Sequence, residues 1–454
     1  MTVADPIRHR LPQIDASLAS GSPYVAYAYS YPHKSAYRPL RPPRPLRQVW
    51  AEERKDALFL YLHVPFCEMR CGFCNLFTTA NPREELTRQY VTVLERQARI
   101  VRETLGGDEV RIARMAVGGG TPTFLRPAEL ERLFEISRTL FGVRPGAVPT
   151  SVETSPRTAD RDRLAVLKAF GVDRVSIGVQ SFVDAEVVAS ARAQTSAGVE
   201  AALGRIREAG FQTLNLDLIY GLPGQTVASW LVSLEAALRW RPEELYLYPL
   251  YVRPLTGLDR RGCPTHDALR LDCYRAGRDF LAAEGYEQVS MRMFRRRDAA
   301  AKIDDPIYCC QDDGMIGLGC GARSYTRDLH YSTDYAVGAL GVREIIGDYL
   351  RRDDGAFTHA DYGCEVDADE RRRRWVIKSL FRTAGLDRRA YRDQFGEDVL
   401  AATRDLPAMV DAGHFIVTDE RILPTDVGLE RSDALGPMLF SDRVKAAMAG
   451  FELR

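Results

Sequence analysis

Short apolar runs alternate with amphipathic segments between about residues 57 and 290. The apolar runs have the length and composition of buried strands and cover 58–64, 112–117, 150–153, 175–180, 213–219 and 245–251. The amphipathic segments fall between them, at 83–105, 127–141, 159–171, 197–209 and 226–240. This alternation predicts parallel strands joined by helical crossovers. Six such units are typical of an α/β fold with a partial (β/α)6 barrel, whose site lies at the carboxyl ends of the strands.

Both flanks of this region have a different character. Residues 1–56 are rich in Pro, Tyr and Arg and show no sustained period, which predicts an extended N-terminal arm. Beyond about residue 290 the alternation stops, and from about residue 366 short helical patterns dominate. We therefore expect an arm (1–56), a barrel (57–290) and a C-terminal region (291–454) that ends in a small, mainly helical module.

The charge balance excludes some classes of partner. Lys+Arg and Asp+Glu both number 62, so the formal net charge is zero and a long nucleic acid is not an expected partner. Arginine is the usual cation of this chain, so the arginines at 295–297 and 371–374 are predicted to form solvated faces. The sequence has no apolar stretch of about 18 residues and no signal-peptide pattern, which predicts a soluble cytoplasmic protein without an integral membrane segment.

Three of the nine cysteines lie within eight residues, directly after the first predicted strand: Cys67, Cys71 and Cys74. An odd cysteine count without an export signal argues against disulfides and for a metal site. Thiols at this spacing can ligate three irons of an iron–sulfur cube and leave the fourth iron to an exogenous chelator. Two alternatives remain open. Zinc needs a fourth ligand, for which His63 is the candidate, whereas a ferredoxin needs a fourth thiolate where Leu76 stands.

Four further motifs follow in order after the cysteine motif of residues 61–74 (YLHVPFCEMRCGFC). They are GGGTPTFL (118–125), VETSPRT (152–158), RVSIGVQSF (174–182) and NLDLIYGLPGQT (215–226). With these motifs the sequence resembles the radical S-adenosylmethionine (SAM) enzymes. The resemblance is to the group that contains oxygen-independent coproporphyrinogen III oxidase and the related heme chaperone. It runs from about residue 57 to 325, and the tail resembles the group's winged-helix-like C-terminal domain.

The resemblance implies two cofactors, a [4Fe-4S] cluster on the three cysteines and SAM. It assigns SAM contacts to Tyr61, Phe73, Gly119, Gly120, Thr121, Glu153, Gln180, Arg192 and Asp217. The carboxylates and amide offer acceptors to the ammonium and ribose of SAM, and the guanidinium offers donors to its carboxylate. Glycines at the end of the second strand have no side chain and allow the backbone to approach a ligand closely. Each assignment has a structural alternative: a plain turn for the glycines and Thr121, a cap or surface salt bridge for each polar residue taken singly, and core packing for Tyr61 and Phe73.

The implied activity is that of a radical SAM oxidoreductase, in which one-electron cleavage of SAM gives a 5′-deoxyadenosyl radical that abstracts hydrogen from a small molecule. Oxidative decarboxylation of coproporphyrinogen III, a tetrapyrrole, is one option, with a flavodoxin or ferredoxin as electron donor. Alternatives are a radical methyltransferase or tailoring enzyme on another substrate, and a heme-binding chaperone.

Three features separate these options. Leu76 stands where the oxidase usually has a further cysteine, and residues 308–313 replace the His-Asn…Tyr-Trp motif of the chaperone. The arm segment YAYSYPHKSAY (27–37) is similar to the arm that closes over substrate in the oxidase, so we expect a lid over a cavity, or else a surface strap. Cys309 and Cys310 are either a second metal site, a radical-quenching thiol or small buried hydrophobic residues.

Overall fold

The computed structural model describes residues 21–299 and 314–454. Its centre is a 13-stranded sheet in which six parallel strands follow one another in chain order. These barrel strands are Leu58–Val64, Ile112–Gly119, Thr150–Thr154, Arg174–Gln180, Thr213–Tyr220 and Glu244–Pro249. Each strand coincides with a predicted apolar run, so the α/β fold with a partial (β/α)6 barrel is confirmed.

Helices connect the barrel strands as the amphipathic pattern predicts. They are Glu84–Thr104, Pro127–Phe141, Arg161–Ala169, Ser196–Ala209 and Val227–Leu238, with a further short helix Asp184–Ala189. Alternate side chains of a strand point to opposite faces of the sheet. Leu60 and Leu62 of the first strand belong to the main apolar core, whereas Phe59 and Tyr61 belong to a separate small group of side chains on the opposite face. The face turned away from the main core is where polar side chains gather.

The barrel sheet continues past residue 290. Met315–Leu318 pairs in parallel with the first barrel strand, so a seventh parallel strand comes from beyond the expected barrel. Antiparallel strands then extend both edges of the sheet, with four at one edge and two at the other: Arg323–Tyr325, Leu329–Ser332, His359–Glu365 and Arg38–Pro45, and Met293–Arg296 and Tyr286–Gln288. Two more helices follow the sixth barrel strand before residue 290, Gly257–Arg260 and Asp267–Ala283, and a third, Ala339–Arg351, lies beyond it. The boundary expected at about residue 290 stays a prediction.

The N-terminal segment is more ordered than its sequence predicts. Arg38–Pro45 pairs antiparallel with His359–Glu365 at the edge of the large sheet, and a short helix, Leu46–Val49, follows it. An edge position suits this proline-rich strand because proline has no N–H to donate to a neighbour. Within the described part of the arm, residues 38–45 are therefore a strand of the sheet rather than an unpaired extension.

The C-terminal module consists of short helices and a small antiparallel sheet. The helices are Ala368–Leu380, Arg388–Phe395, Val399–Ala402, Leu406–Asp411, Asp426–Glu430, Ser432–Met438 and Asp442–Ala449, and the strands are Leu386–Asp387, Phe415–Val417 and Arg421–Pro424. The apolar core of the module includes Ala28, Tyr31 and Ala36 from the arm. The arm thus packs between the module and the barrel.

Both arginine runs, 295–297 and 371–374, are less exposed to solvent than predicted. Arg374 is 4% exposed and donates a hydrogen bond to the carbonyl oxygen of Tyr31, so the expectation of a solvated face is wrong at this position. Arg296 is half-buried and bonded to Glu243, whereas Arg297 is exposed as expected. None of the helices in the described stretches is both long and apolar enough to cross a membrane.

Candidate functional site

A cavity of about 590 Å³ lies at the carboxyl ends of the barrel strands. Its volume falls within the range of about 300–1,000 Å³ that is usual for small-molecule sites. Four parts of the chain line it: the loop of residues 67–74 (the cysteine loop), the ends of the barrel strands, the arm, and the last helix with the residues that follow it. The predicted site at the carboxyl ends of the strands therefore coincides with this cavity.

The cysteine loop is fixed at its middle and its start. Gly72 donates its N–H to the carbonyl of Ser190 at 2.9 Å and accepts from the N–H of Leu258 at 2.7 Å. A Cβ at Gly72 would lie 2.7 Å from the Ser190 carbonyl oxygen, so a glycine is needed for this contact. At the start of the loop, Phe66–Cys67 pairs in parallel with Thr79–Ala80. The loop is therefore held from both sides in a definite conformation.

All three thiols of this loop are half-buried, unpaired by disulfides and line the cavity. Burial raises the pKa of the Cys67 thiol to about 12, although the Thr121 hydroxyl lies 3.6 Å from its sulfur. Burial also raises the pKa of the Cys71 thiol. The Arg192 guanidinium, whose Nη1 lies 3.1 Å from Sγ, partly offsets this effect. Buried thiols of this kind become thiolates when a metal replaces the proton. The thiol set therefore fits a metal cofactor.

The arrangement suits an iron–sulfur cube better than a single ion. Among the described residues, no three His, Cys, Asp or Glu side chains converge closely enough to share one metal ion. A cube does not require such convergence, because each thiolate binds a different iron. His63, the fourth ligand considered for zinc, is 6% exposed and lies beside Tyr61 and the carbonyl of Phe77 instead of lining the cavity. Burial lowers the pKa of His63 to about 4, so its ring is neutral.

The glycines at the end of the second barrel strand make room for the site's own side chains. A Cβ at Gly118 would lie 2.9 Å from the Glu153 carboxylate, and one at Gly120 would lie 2.9 Å from Cys67 Sγ. Gly119 has a φ of 121°, which favours glycine, and a Cβ there would meet the imidazole of His63. The sequence predicts close backbone approach to a ligand at this turn, and the structure adds that side chains of the site also require it.

Two carboxylates occupy neighbouring positions on the barrel wall. Glu153 is exposed, but within the cavity, whose walls separate it from bulk water, and its Oε2 accepts from the N–H of Gly119 at 3.0 Å. Asp217 accepts from Asn215 Nδ2 at 2.8 Å and from the Ser176 hydroxyl at 3.3 Å. Burial raises the pKa of Glu153 to about 7 and that of Asp217 to about 6. A cationic ligand in the cavity would therefore stabilise the charged forms of both side chains and lower their pKa values.

Gln180 and Arg192 complete the predicted polar set on the same wall. Gln180 has a φ of 70°, and the pairing register shifts between Gly178 and Gln180, so a bulge ends the fourth barrel strand. Arg192 donates to the carbonyl of Gly178 at 2.5 Å and to Gln194 Oε1 at 2.6 Å. Gln180, Arg192, Glu153 and Asp217 all line the cavity. The structure thus brings the four side chains to one wall, as the order of their strands predicts.

Of the other predicted SAM contacts, three line the cavity and two do not. Gly120, Thr121 and Phe73 line the cavity, and Phe73 packs against the apolar group that contains Ile219. Tyr61 and Gly119 are not part of the lining: Tyr61 packs beside Phe59, and Gly119 reaches the cavity only through its bond to Glu153. Contacts of Tyr61 and Gly119 with SAM stay predictions.

Sequence analysis missed several residues that line the cavity opposite the barrel wall. They come from the arm and from distant loops: His33, Lys34, Arg253, Arg292, Arg323 and Tyr335. The ammonium of Lys34 lies 3.8 Å from the centre of the Tyr335 ring, and the Tyr335 hydroxyl donates to the carbonyl of Asn75 at 2.7 Å. Sequence analysis assigned His33 and Lys34 only to the arm segment that is expected to form a lid and gave neither residue a role of its own. Cys309 and Cys310 lie outside the described residues.

Comparison with known proteins agrees with this geometry. The profile of the radical SAM superfamily matches residues 61–237. Oxygen-independent coproporphyrinogen III oxidase of Escherichia coli is 30% identical over 354 residues, which are 75% of each chain. The enzyme of the same name from Bradyrhizobium diazoefficiens is 34% identical over 62% of this chain and 65% of its own length. The heme chaperone HemW of Bacillus subtilis is 27% identical over 75% of this chain and 87% of its own.

The solved structures give the same result for the fold. The structure of coproporphyrinogen III oxidase (HemN) from E. coli, a radical SAM enzyme, superposes with a TM-score of 0.73 at 25% identity, over 89% of this chain and 93% of that one. This chain belongs to the radical SAM superfamily and, within it, to the oxygen-independent coproporphyrinogen III oxidase group. It is accordingly a radical SAM oxidoreductase whose cofactors are a [4Fe-4S] cluster and SAM.

Proposed function

We propose that this enzyme catalyses the oxidative decarboxylation of a tetrapyrrole polycarboxylate, for which coproporphyrinogen III is the first substrate to test. The observation that carries the proposal is a single cavity that joins the cysteine loop to walls outside the barrel. One wall holds seven of the nine predicted SAM contacts, and the other is built from the arm and distant loops. Such a cavity provides for two molecules, SAM beside the thiols and a substrate beneath the arm.

The cofactors supply the radical chemistry, since one-electron cleavage of SAM at the cluster gives a radical that abstracts hydrogen. In our proposal Cys67, Cys71 and Cys74 hold the cluster, and the carboxylates of Glu153 and Asp217 accept from the hydroxyls and ammonium of SAM. Arg192 lies between the thiol of Cys71 and the strand end, where its remaining donors suit the SAM carboxylate. We assign contacts with SAM to six further residues as well: Tyr61, Phe73, Gly119, Gly120, Thr121 and Gln180.

The arm and the C-terminal segment keep water from the reacting groups. Tyr27 and Ser30 of the arm and Met448 and Leu453 of the C-terminal segment line the cavity.

Removal of one hydrogen atom and one CO₂ from each reacting side chain leaves one electron, which passes to an acceptor. A reduced flavodoxin or ferredoxin is the electron donor that we propose for SAM cleavage. The free cysteines of the described chain suit a reducing compartment such as the cytoplasm.

The test uses holoenzyme reconstituted anaerobically with iron and sulfide. Supplied with SAM, a chemical reductant and coproporphyrinogen III, it is expected to form 5′-deoxyadenosine together with decarboxylated tetrapyrrole. Formation of 5′-deoxyadenosine without any decarboxylated product would overturn the substrate assignment and favour a methyltransferase or tailoring reaction on another compound.

A heme-binding chaperone is the second candidate, because the match to HemW covers 87% of that protein. Titration of the same holoenzyme with heme separates the two functions. Saturable heme binding without decarboxylation would favour the chaperone. The segment of residues 308–313, where a chaperone-type motif would stand, lies outside the described residues.

A further inference from the structure

Most of the positive and the negative side chains that line the cavity come from different parts of the chain. The carboxylates lie on the barrel side and in the cysteine loop, where Glu68, Glu153 and Asp217 each accept hydrogen bonds from neighbouring groups. Apart from Arg192 on the barrel wall, the lysine and arginine residues of the lining come from the arm and from segments after the sixth barrel strand: Lys34, Arg253, Arg292 and Arg323. Since SAM is a cation at its sulfonium and ammonium, the barrel side suits SAM. The opposite side therefore suits a second, anionic molecule.

Lys34 is held rigidly on the opposite side. It begins a short 3₁₀ helix, Lys34–Ala36, whose first turn is capped by the ring of His33, which accepts from the N–H of Ser35 at 3.2 Å. Ser35 is 2% exposed, so this helix is fixed in the interior. The ammonium group lies over the ring of Tyr335 at 3.8 Å, a cation–π contact, and Lys34 is part of the cavity lining.

Arg253 reaches the same region from the loop that follows the sixth barrel strand. Its Nη2 donates to the carbonyl of Val25 at 3.2 Å, and its guanidinium lies 4.3 Å from the centre of the Tyr251 ring. Within the described residues, neither Lys34 nor Arg253 forms an ion pair with a carboxylate. Burial and the positive charges of Arg323 and Arg253 lower the pKa of Lys34 to about 7, although the neighbouring Cys74 acts in the opposite direction.

The segment of the arm that precedes Lys34 is fixed by a carboxylate of the C-terminal module. Asp433 is fully buried, and its Oδ1 accepts from the N–H of Ala28 at 3.2 Å while its backbone carbonyl accepts from the N–H of Ala26 at 3.1 Å. The Tyr251 hydroxyl donates to the same side chain. The ring under Arg253 and the arm that carries Lys34 therefore share one anchor, which fixes the two cations relative to each other.

We propose that Lys34 and Arg253 form a carboxylate-binding subsite, and that this subsite selects substrates with several acidic side chains. The proposal rests on the proposed function, since it supplies a partner for the carboxylates of a tetrapyrrole substrate. An ammonium and a guanidinium bind carboxylates through charge-assisted hydrogen bonds. Two fixed cations on one wall favour a ligand whose carboxylates are held apart by a rigid framework over one with a single carboxylate.

The test measures binding separately from turnover. Coproporphyrin III, the oxidised macrocycle that carries the same carboxylates, is titrated into anaerobic holoenzyme and followed by its fluorescence, beside its tetramethyl ester. We expect Lys34→Met and Arg253→Met each to weaken binding roughly tenfold or more, as for loss of a charge-assisted partner. The ester is expected to bind wild type and both variants alike. Lys445→Met is the matched control, because Lys445 donates to the carbonyl of Met438 and does not line the cavity.

Folding and iron content are checked by thermal melting and iron assay, and Lys34→Arg, which keeps the charge, is expected to retain most of the affinity. Equal affinity of wild type and the Lys34→Met/Arg253→Met double variant would overturn the subsite. Decarboxylation that proceeds normally in the double variant would also overturn it while leaving the proposed function intact. Conversely, Lys34-dependent binding in an enzyme that never decarboxylates coproporphyrinogen would support the subsite and refute the proposed reaction.

Discussion

The guanidinium of Arg192 lies against the thiol of Cys71, with 3.1 Å between Nη1 and Sγ. The two residues are 121 positions apart in the chain, and the contact places the end of the fourth barrel strand directly beside the cysteine loop. A cation at this distance stabilises the thiolate form of Cys71 against the cost of burial. The same side chain therefore links the thiol set to the polar wall that we assign to SAM.

Replacement of any one cysteine of the loop by alanine is expected to abolish SAM cleavage, because each thiol ligates a separate iron in our assignment. The wild-type holoenzyme should contain about four iron and four sulfide per chain, as the cube requires. Iron and sulfide assays together with 5′-deoxyadenosine formation check both statements. Cys263→Ala is the control, since Cys263 is half-buried but does not line the cavity. Wild-type 5′-deoxyadenosine yields from a Cys71→Ala protein would contradict the assignment.

Loss of a carboxylate on the barrel wall is expected to weaken SAM binding while leaving the iron content near that of wild type. Glu153→Ala and Asp217→Ala each remove a charge-assisted acceptor worth roughly 1.5–3 kcal/mol, which corresponds to more than tenfold in affinity. Calorimetric titration of SAM into holoenzyme measures the change. Unchanged affinity in both variants would show that the two carboxylates only stabilise the strand ends.

Glu153 is expected to make the stability of the cluster-free protein depend on pH. Its ordinary pKa is 4.5 and burial raises it to about 7 in the folded protein, so between these values the folded state binds more protons than the unfolded chain. The free energy of unfolding contributed by this group therefore falls as pH rises through that window, and the penalty is complete above it. Glu153→Gln, which keeps an acceptor for Gly119, removes the penalty.

Urea unfolding of wild type and Glu153→Gln at pH 5 and pH 8 provides the measurement. The variant should gain stability relative to wild type at the higher pH and lose most of that advantage at the lower one. A difference between the two proteins that is the same at both pH values would show that Glu153 does not titrate in this window.

A methyl group at Gly120 is expected to prevent cluster assembly. The added Cβ would lie 2.6 Å from the carbonyl oxygen of Phe66 and 2.9 Å from Cys67 Sγ, so the cysteine loop would have to move. Gly120→Ala should therefore lose most of its iron after reconstitution. Gly204→Ala is the control, because its Cβ would meet only Trp240 at 3.7 Å, an ordinary contact. Full iron incorporation into Gly120→Ala would show that the loop tolerates the displacement.

The arm offers a test that distinguishes a lid from a strap. Deletion of residues 27–40 would also remove Tyr31 and Ala36 from the core of the C-terminal module, so a substitution is the cleaner change. Tyr27→Ala changes a residue of the cavity wall that is outside the core of the module, although it also removes ring contacts with Tyr29 and Arg292. We expect it to reduce substrate turnover several-fold while the slower cleavage of SAM without substrate continues. Equal losses in the two reactions would indicate that the arm supports the site structurally instead of contacting substrate.

Much of the fold is determined locally along the sequence. The apolar runs and amphipathic segments match the six barrel strands and five helices closely, because burial of alternate strand residues and of one helix face leaves a periodic signature. The cysteine spacing and the order of the motifs likewise identify the superfamily. Each of these features is written within a few consecutive residues.

The opposite wall of the cavity was decided only by the tertiary structure. Lys34, Arg253 and Asp433 lie far apart in sequence and in three different segments, and nothing in their local patterns predicts that they meet. Arg38–Pro45 has no strand-like alternation, and its strand forms only because the edge of the sheet offers His359–Glu365 as a partner. Local periodicity records which face of an element is buried, whereas the neighbours that bury it are chosen by long-range packing. The sequence therefore determined the cofactor side of this enzyme, and the packing of the arm and module against the barrel determined the side that faces the substrate.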